Sequence, residues 1–233
     1  MSKCQTPIIV ALDTPLLTQA LRITDQLDPE LCRIKIGKEL FTAEGPQAVT
    51  KLVNRNFDVF LDLKFHDIPH TAAMAVKAAA NLGVWMVNVH CSGGYRMLNA
   101  CKEALDSFSE SKPLLIGVTV LTSMEASDLH EIGIQTDIKE HVNHLAKITQ
   151  KAGLDGLVCS AKEACELRKY FPEFKLITPG IRPKAYENVD DQRRILTPKQ
   201  AIAAGSDYLV IGRPITQAEH PDKALMAIIS ELD

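Results

Sequence analysis

The chain has 233 residues and a mass of 25.6 kDa, with 46% hydrophobic and 24% charged residues, the balance of a globular protein of about one domain. This composition excludes a disordered chain, a disulfide-stapled mini-protein and a collagen-like repeat. A net charge of −3 argues against a nucleic-acid binder, and no apolar run approaches the ~20 residues of a membrane span. The N-terminal residues carry no export signal, so we expect a cytoplasmic protein with neither nucleic-acid nor membrane partners.

Short apolar segments alternate with longer segments of helical period, which is typical of βα units around a parallel sheet. The predicted strands are Pro7–Leu12, Cys32–Gly37, Asp58–Leu63, Val84–Val89, Leu114–Thr119, Gly156–Cys159, Phe174–Thr178 and Tyr208–Ile211. The predicted helices lie near 15–27, 44–55, 71–82, 94–107, 138–152, 161–170, 198–204 and 221–231, with extra structure between Thr122 and Asp137. The onsets of the first four strands recur every 25 or 26 residues. This pattern predicts an α/β fold, a (β/α)8 TIM barrel in a single domain over residues 1–233.

A faint internal repeat supports the barrel. Residues 152–158, Ala-Gly-Leu-Asp-Gly-Leu-Val, are echoed 52 residues later by Ala-Gly-Ser-Asp-Tyr-Leu-Val at 204–210. Gly153 and Gly205 are each predicted to end a helix in the left-handed conformation, just before a strand. The doubly wound sheet is the alternative fold, but it needs a glycine-rich turn after its first strand, and Leu12-Asp13-Thr14-Pro15 does not supply one.

The cysteine and histidine residues indicate no metal site. The six cysteines are scattered without a Cys-x-x-Cys pair, so we expect structural thiols. Pro69 separates His66 from His70, which therefore do not share the continuous helix of a His-Glu-x-x-His zinc site. We expect neither a metal nor an organic cofactor.

Charged residues near the ends of the second and third strands indicate where the chemistry lies, since active sites of these barrels form at the carboxyl ends of the strands. Side chains of a strand alternate between its two faces, so Asp62 and Lys64 are expected to point into the barrel. The apolar side chains of Val59, Leu61 and Leu63 are then expected to face the helices. Lys35 faces the same way one strand earlier, and Asp67 follows Lys64 by three residues. We expect these alternating charges to form a network with shifted pKa values. A purely structural ion-pair lattice is the alternative.

The loops after the seventh and eighth strands predict a phosphate site, which such barrels often form there. These loops contain Arg182, Gln192, Gly212 and Arg213. Arginine suits bidentate phosphate contact, and the polar segment 184–194 is typical of a lid. Ordinary surface arginines are one alternative, and a phosphate cradle at His90-Cys91-Ser92-Gly93-Gly94 is another. The residues alone thus predict a barrel enzyme that acts on a phosphorylated small molecule through lysine and aspartate.

The segment Asp62–Thr71, Asp-Leu-Lys-Phe-His-Asp-Ile-Pro-His-Thr, closely resembles the orotidine 5′-phosphate decarboxylase family. Further matches follow in the family's order at Ala11–Asp13, Lys35–Lys38, Val118–Ser123, Thr178–Pro183, Asp191–Arg194 and Ile211–Pro214. The resemblance implies cofactor-independent decarboxylation of orotidine 5′-phosphate to UMP and CO₂, the last step of UMP synthesis. His70 departs from the asparagine expected in this family.

The resemblance also implies a role for each matched residue. Lys64 would protonate C6 of the pyrimidine as CO₂ leaves, and Asp62 would lie beside the substrate carboxylate. Asp13 and Lys35 would hold ribose hydroxyls, with Lys35 also pairing with Asp62. The other implied contacts are those of Thr122 and Ser123 with the pyrimidine, of Gln192, Gly212 and Arg213 with the phosphate, and of Arg182 with the phosphate-binding loop.

The family builds its site across a homodimer, so Asp67 and Thr71 are expected to reach into the partner's site, and Ile68 between them also counts among the substrate-binding residues. A metal-dependent sugar-phosphate decarboxylase shares the Asp-x-Lys-x-x-Asp motif. It carries a glutamate ligand where this chain has Lys35, whose charge would repel a metal. A barrel that only binds a nucleotide is the remaining alternative, but it would be expected to lack Lys64 or Asp62.

Overall fold

The structure, a computed structural model, describes residues 4–183 and 196–232, in which eight parallel strands close into one barrel in chain order. The strands are β1 (Ile8–Leu12), β2 (Arg33–Gly37), β3 (Val59–Phe65), β4 (Met86–His90), β5 (Leu114–Val118), β6 (Gly156–Val158), β7 (Lys175–Thr178) and β8 (Tyr208–Ile211). The predicted (β/α)8 TIM barrel is confirmed, and each strand boundary lies within two residues of its prediction.

Helices cover the outside of the barrel. In the described ranges they are α1 (Leu17–Thr24), α2 (Lys38–Glu44), α3 (Pro46–Val53), α4 (Pro69–Asn81), α5 (Gly94–Glu103), α6 (Ala126–Glu131), α7 (Ile138–Lys151), α8 (Ala161–Tyr170), α9 (Pro198–Ala203), α10 (Arg213–Thr216) and α11 (Pro221–Ser230). Short 3-10 turns occupy Cys91–Gly93 and Asp106–Ser111. None of these helices is long and apolar enough to span a bilayer.

Two helices were missed in the sequence, and a third was anticipated only as extra structure. The helix predicted near 44–55 is α3, and α2, which directly precedes it, was not predicted. Gly45 ends α2 with a φ of 68°, and Pro46 begins α3 at its first turn, where a missing N–H costs nothing. The four-residue helix α10 is too short for its period to be read from the sequence. The extra structure expected after β5 contains α6.

Side chains along the strands alternate between two cores. Those that face outward pack against the helices, as Ile34 and Ile36 of β2 and Leu61 of β3 do. Those that face inward fill the barrel with Ile9, Ala11, Phe60, Met86, Ile116, Ile177 and Val210. The middle of the barrel is therefore a packed core, and a ligand site can form only at an end.

Arg33 fills the amino end of the barrel. Its guanidinium group lies between the rings of Trp85 and Tyr208, 4.6 and 5.0 Å from their centroids. The same group donates hydrogen bonds to the carbonyl oxygens of Thr6 (2.6 Å) and Cys4 (3.1 Å). Because cation–π contacts and carbonyl acceptors replace lost hydration, this buried charge is compatible with a filled barrel end. The carboxyl end remains for the active site.

The internal repeat has a structural explanation at that same amino end. Gly153 and Gly205 follow α7 and α9 with φ of 71° and 103°, the left-handed conformation predicted for them. The aspartate two residues later accepts a hydrogen bond from the backbone N–H of an adjacent strand. Asp155 bonds the N–H of Leu115 at 2.8 Å, and Asp207 bonds that of Leu176 at 2.8 Å. Each repeat copy thus ends a helix and links neighbouring strands.

Five of the six cysteines are buried, as expected of structural thiols. Cys165 on α8 is the exception and is exposed, since its place on the helix falls outside the apolar stripe formed by Ala161, Ala164 and Leu167.

Candidate active site

Four charged side chains of alternating sign lie together at the carboxyl ends of β1, β2 and β3. Nζ of Lys35 lies 3.4 Å from Oδ1 of Asp13 and 3.4 Å from Oδ2 of Asp62. Nζ of Lys64 lies 2.6 Å from Oδ1 of Asp62. The side chains of Lys35 and Asp62 are 10% and 13% exposed, whereas that of Asp13 is 59% exposed. The chain of charges therefore runs from the enclosed mouth of the barrel to its rim.

Asp62 is held ionised by this network. Burial by itself would raise the pKa of Asp62, because it disfavours the charged carboxylate. The positive charges of Lys35 and Lys64 and the hydrogen bonds from Lys64 and Asn88 outweigh burial, and the pKa lies below its ordinary value. An ionised carboxylate is thus maintained in an enclosed site.

The backbone of β3 is irregular where it carries Lys64. Leu61 pairs with Val87 of β4 and Phe65 pairs with Val89, so three residues of β3 lie opposite one residue of β4. Within this bulge Lys64 has a φ of 53°, the left-handed region that few residues other than glycine adopt. The sequence predicted regular alternation and a strand ending at Leu63. The bulge extends the strand to Phe65 and changes how Lys64 reaches the mouth.

Asn88 on β4 belongs to this site but was not predicted from the sequence. Its side chain is fully buried, its Nδ2 donates to Oδ1 of Asp62 at 2.7 Å, and its Oδ1 accepts from the backbone N–H of Lys64 at 2.8 Å. One signal could have revealed it, because Asn88 is a polar residue at an inward position of the otherwise apolar strand segment Met86–Val89.

Two glycines leave space for the charges at the barrel mouth. A Cβ atom on Gly37 would lie 3.1 Å from Nζ of Lys35, and one on Gly212 would lie 3.2 Å from Oδ2 of Asp13. Both distances are tighter than ordinary carbon contacts. Gly212, which the sequence assigned to the phosphate site, therefore also borders the charged network.

The predicted charge Asp67 does not join this network within one subunit. Asp67 is exposed, and its Oδ1 accepts a hydrogen bond from the backbone N–H of Ile68 at 2.6 Å. Ile68 is 67% exposed, and Thr71 is exposed on the first turn of α4. The prediction that Asp67 lies in one compact cluster with Lys35, Asp62 and Lys64 is therefore wrong within a single subunit. The reason is that β3 ends at Phe65 and the chain then turns to begin α4.

The predicted phosphate and pyrimidine contacts occupy the loops around the mouth. Arg182 follows β7, is 6% exposed and donates to the carbonyl oxygen of Ile181 at 3.0 Å. Arg213 is exposed at the first residue of α10. Thr122 and Ser123 lie in the turn after β5, half-buried and exposed respectively. Gln192 and the predicted lid at 184–194 lie outside the described residues.

Sequence and structure comparisons place the chain among known proteins. The model of the orotidine 5′-phosphate decarboxylase / HUMPS family matches residues 6–228. The chain belongs to this family. Over 232 residues it is 64% identical to orotidine 5′-phosphate decarboxylases of Pseudomonas fluorescens (strain Pf-5) and Pseudomonas aeruginosa (strain LESB58), covering all of this chain and 99% and 100% of theirs.

A crystal structure of orotidine 5′-phosphate decarboxylase from Lactobacillus acidophilus has a TM-score of 0.87 to this chain, at 36% identity. The match covers 98% of this chain and 100% of that one. The resemblance stated from the Asp62–Thr71 segment is therefore confirmed, and so is the predicted enzyme class, a decarboxylase of the orotidine 5′-phosphate decarboxylase family.

His90, at the end of β4, is a further titratable group near the charged network at the barrel mouth. Its ring centroid lies 5.6 Å from that of His66. Burial, followed by the positive charges of His66, Lys38 and Lys64, lowers the pKa of His90 to about 4. His90 is therefore uncharged at neutral pH.

The carboxylates of the charged network are already paired with lysine ammonium groups. Within residues 4–183 and 196–232, no three side chains of His, Cys, Asp or Glu converge as a metal site would require. The two carboxylates of the mouth, Asp13 and Asp62, are bridged by the ammonium group of Lys35. The arrangement suits proton donation by an ammonium group next to a fixed negative charge.

Proposed function

We propose that this chain converts orotidine 5′-phosphate into UMP and CO₂ without a metal or organic cofactor, as the last step of UMP synthesis. The observation that carries the proposal is the alternating series Asp13, Lys35, Asp62 and Lys64 at the barrel mouth of a member of this family. We extend the decarboxylase domain to the whole of residues 1–233, because β1 begins at Ile8 and α11 ends at Ser230.

Lys64 is the proton donor in this mechanism. The bond between C6 of the pyrimidine and the carboxylate carbon breaks, and its electron pair stays on C6 while CO₂ leaves. The ammonium group of Lys64 delivers a proton to C6, which forms the C6–H bond of UMP. The amine left on Lys64 then takes up a proton from water. The positive charge of Lys64 also stabilises the negative charge that develops at C6 before the proton moves.

Asp62 acts on the ground state of the substrate. An ionised Asp62 about 4 Å from the substrate carboxylate would repel it by roughly 4 kcal/mol at an effective dielectric constant near 20. As CO₂ leaves, the negative charge moves from the carboxylate beside Asp62 to C6 beside Lys64. Release of the repulsion is therefore worth up to the order of 10³ in rate. The lowered pKa of Asp62 supports this role because it keeps the carboxylate charged at neutral pH.

The remaining residues bind and orient the nucleotide. Asp13 and Lys35 hold the ribose hydroxyls, and the contact between Lys35 and Asp62 ties the sugar to the reacting end. The residues assigned to the pyrimidine are Thr122 and Ser123, and those assigned to the phosphate are Gln192, Gly212 and Arg213, with Arg182 supporting the phosphate-binding loop. Binding energy from the distant phosphate can then be used to fix the charged groups at C6.

The functional unit is a homodimer with two shared sites. The partner's Asp67 and the partner's Thr71 complete the site of each subunit, together with the partner's Ile68. The exposure of Asp67 and of the apolar side chains of Ile68 (67%) and Met74 (42%) supports this assignment, because apolar side chains around one helix favour burial against another surface. We place the enzyme in the cytoplasm, and six free thiols, five of them buried, agree with a reducing compartment.

An ultraviolet assay of orotidine 5′-phosphate loss by the purified protein, with and without a chelator, tests the proposal. We expect turnover that the chelator leaves unchanged, and no turnover by a Lys64→Ala sample prepared in the same way. Activity lost on chelation and restored by a divalent cation would contradict metal independence. Absence of turnover from folded wild-type protein would contradict the reaction itself.

A further inference from the structure

The side chain of Asn88 touches two residues of the reacting end but is placed in neither the charge network nor any predicted contact with substrate. We propose that Asn88 is a positioning residue, which fixes the Asp62 carboxylate with one end of its amide and the backbone of Lys64 with the other. The inference rests on the proposed decarboxylation, in which Asp62 acts on the substrate carboxylate and Lys64 on C6, the atom that carries it.

Both ends of the Asn88 amide are engaged, and their directions cannot be exchanged. Nδ2 donates to Oδ1 of Asp62 at 2.7 Å, while Oδ1 accepts the backbone N–H of Lys64 at 2.8 Å. A reversed amide would set an oxygen against the carboxylate and an NH₂ group against an N–H donor. The fully buried side chain therefore has one hydrogen-bonded orientation.

Asn88 also lies where the bulge of β3 needs an acceptor. It is the single residue between Val87 and Val89, the two positions of β4 that pair with Leu61 and Phe65. Lys64 occupies the bulge with a positive φ, a conformation that persists only when its surroundings hold it. The side-chain oxygen of Asn88 supplies the hydrogen bond that the regular ladder does not give to the Lys64 N–H.

The same amide sets the rotation of the Asp62 carboxylate. Oδ1 of Asp62 accepts from Asn88 and from Nζ of Lys64, which leaves Oδ2 facing Nζ of Lys35 at 3.4 Å. With only the two flexible lysines as partners, the carboxylate could rotate and exchange its oxygens. Asn88 comes from a different strand, so it ties Asp62 and Lys64 to the barrel wall independently of either lysine side chain.

Substitution by aspartate separates positioning from a general structural role. Asn88→Asp keeps an acceptor for the Lys64 N–H, but while ionised it has no donor for Asp62 and repels it. When one proton is shared between Asp62 and the carboxyl group introduced at position 88, it resides on the introduced group. Asp62 stays ionised because it lies between two lysines, whereas burial and the charge of Asp62 raise the pKa of the introduced carboxyl. Once protonated, that carboxyl can donate to Asp62 again.

We therefore expect kcat of Asn88→Asp to be at least about tenfold below wild type at pH 8 and to recover as the pH is lowered towards 6. Asn88→Ala should be slow at every pH, since it has neither donor nor acceptor. Affinity for UMP, which has no carboxylate at C6, should change less than kcat in both variants. Asn143→Asp is the matched control, because Asn143 donates to a carboxylate of Glu166 on the outer helices and should keep wild-type kinetics.

An independent measurement does not depend on turnover. Carbon-13 NMR of the labelled Asp62 carboxyl should show its titration moved up by about one pH unit in Asn88→Ala, and unmoved in Asn143→Asp. Asn88→Ser, a smaller polar replacement, serves if the alanine variant does not fold, and should move the titration in the same direction. An unchanged Asp62 titration, or wild-type kcat for Asn88→Asp at pH 8, would overturn the positioning role. Wild-type protein that titrates as expected but does not decarboxylate would instead overturn the proposed function alone.

Discussion

Nζ of Lys64 lies 2.6 Å from Oδ1 of Asp62, two residues earlier on the same strand. In a regular strand, residues two apart are separated by roughly 7 Å along the chain, so their side chains run side by side. Here the bulge in β3 and the positive φ of Lys64 change the direction of the chain between the two groups. The contact joins the proposed proton donor to the carboxylate that the proposal sets against the substrate.

Removal of the Lys64 ammonium group should abolish turnover without unfolding the barrel. We expect Lys64→Ala to lower kcat by at least about 10³, because it removes both the proton donor and the charge next to C6. Steady-state kinetics and circular dichroism measure the two effects. Lys147→Ala, which changes an exposed lysine on α7, is the control and should be fully active. Near-normal activity of Lys64→Ala would remove its assigned role.

Two inactive variants should restore activity when they are mixed, if the sites are shared between subunits. A dimer of one Lys64→Ala and one Asp67→Ala subunit retains one intact site, formed by Lys64 of the second subunit and Asp67 of the first. Random mixing should therefore give roughly a quarter of wild-type activity per subunit. Kinetics after unfolding and refolding of the mixture measure it. Failure to complement in proven heterodimers would count against the assignment of Asp67 to the partner's site.

Arg213 should discriminate between substrates with and without a phosphate. Loss of its charge-assisted hydrogen bonds is expected to raise KM for orotidine 5′-phosphate by about 10- to 100-fold in Arg213→Ala. Turnover of orotidine, which lacks the phosphate, should change little. Arg96→Ala, at an exposed position of α5, provides the control. If Arg213→Ala impairs the reaction of both substrates equally, Arg213 does not bind the phosphate.

His90 should make the protein less stable in mild acid. Its pKa is lowered from 6.5 to about 4 in the folded protein, so the unfolded chain binds more protons between these pH values. The free energy of unfolding should therefore fall as the pH is lowered from 6.5 to 4. The pKa of Asp62 is also lowered in the folded protein. Asp62 therefore stabilises the fold at pH values above 3.8, its ordinary pKa, and this stabilisation is lost only at lower pH.

Urea unfolding of His90→Gln at pH 7 and pH 4.5 isolates this effect. The variant should lose less stability between the two pH values than wild type does, because glutamine does not titrate. His220→Gln, at an exposed histidine, should behave as wild type. Equal losses in His90→Gln and wild type would show that His90 is not the group responsible.

Much of the site could be predicted because its residues follow strands whose local pattern is strong. Asp13, Lys35 and Asp62 come at or near the ends of three such strands, and parallel strands of a barrel bring their ends to one rim. Asn88 could not be placed in this way. Its hydrogen bonds run to β3, 24 and 26 residues earlier, and depend on a register shift that no local pattern encodes.

The sequence by itself determined the order of strands and helices, the barrel, the family and the charged residues of the mouth, since apolar periodicity and a ten-residue motif are local properties. Only the tertiary structure decided that Lys64 reaches Asp62 through a bulge and that Asn88 holds both. These features depend on how one strand aligns with the next, and that alignment is set by packing across the whole barrel.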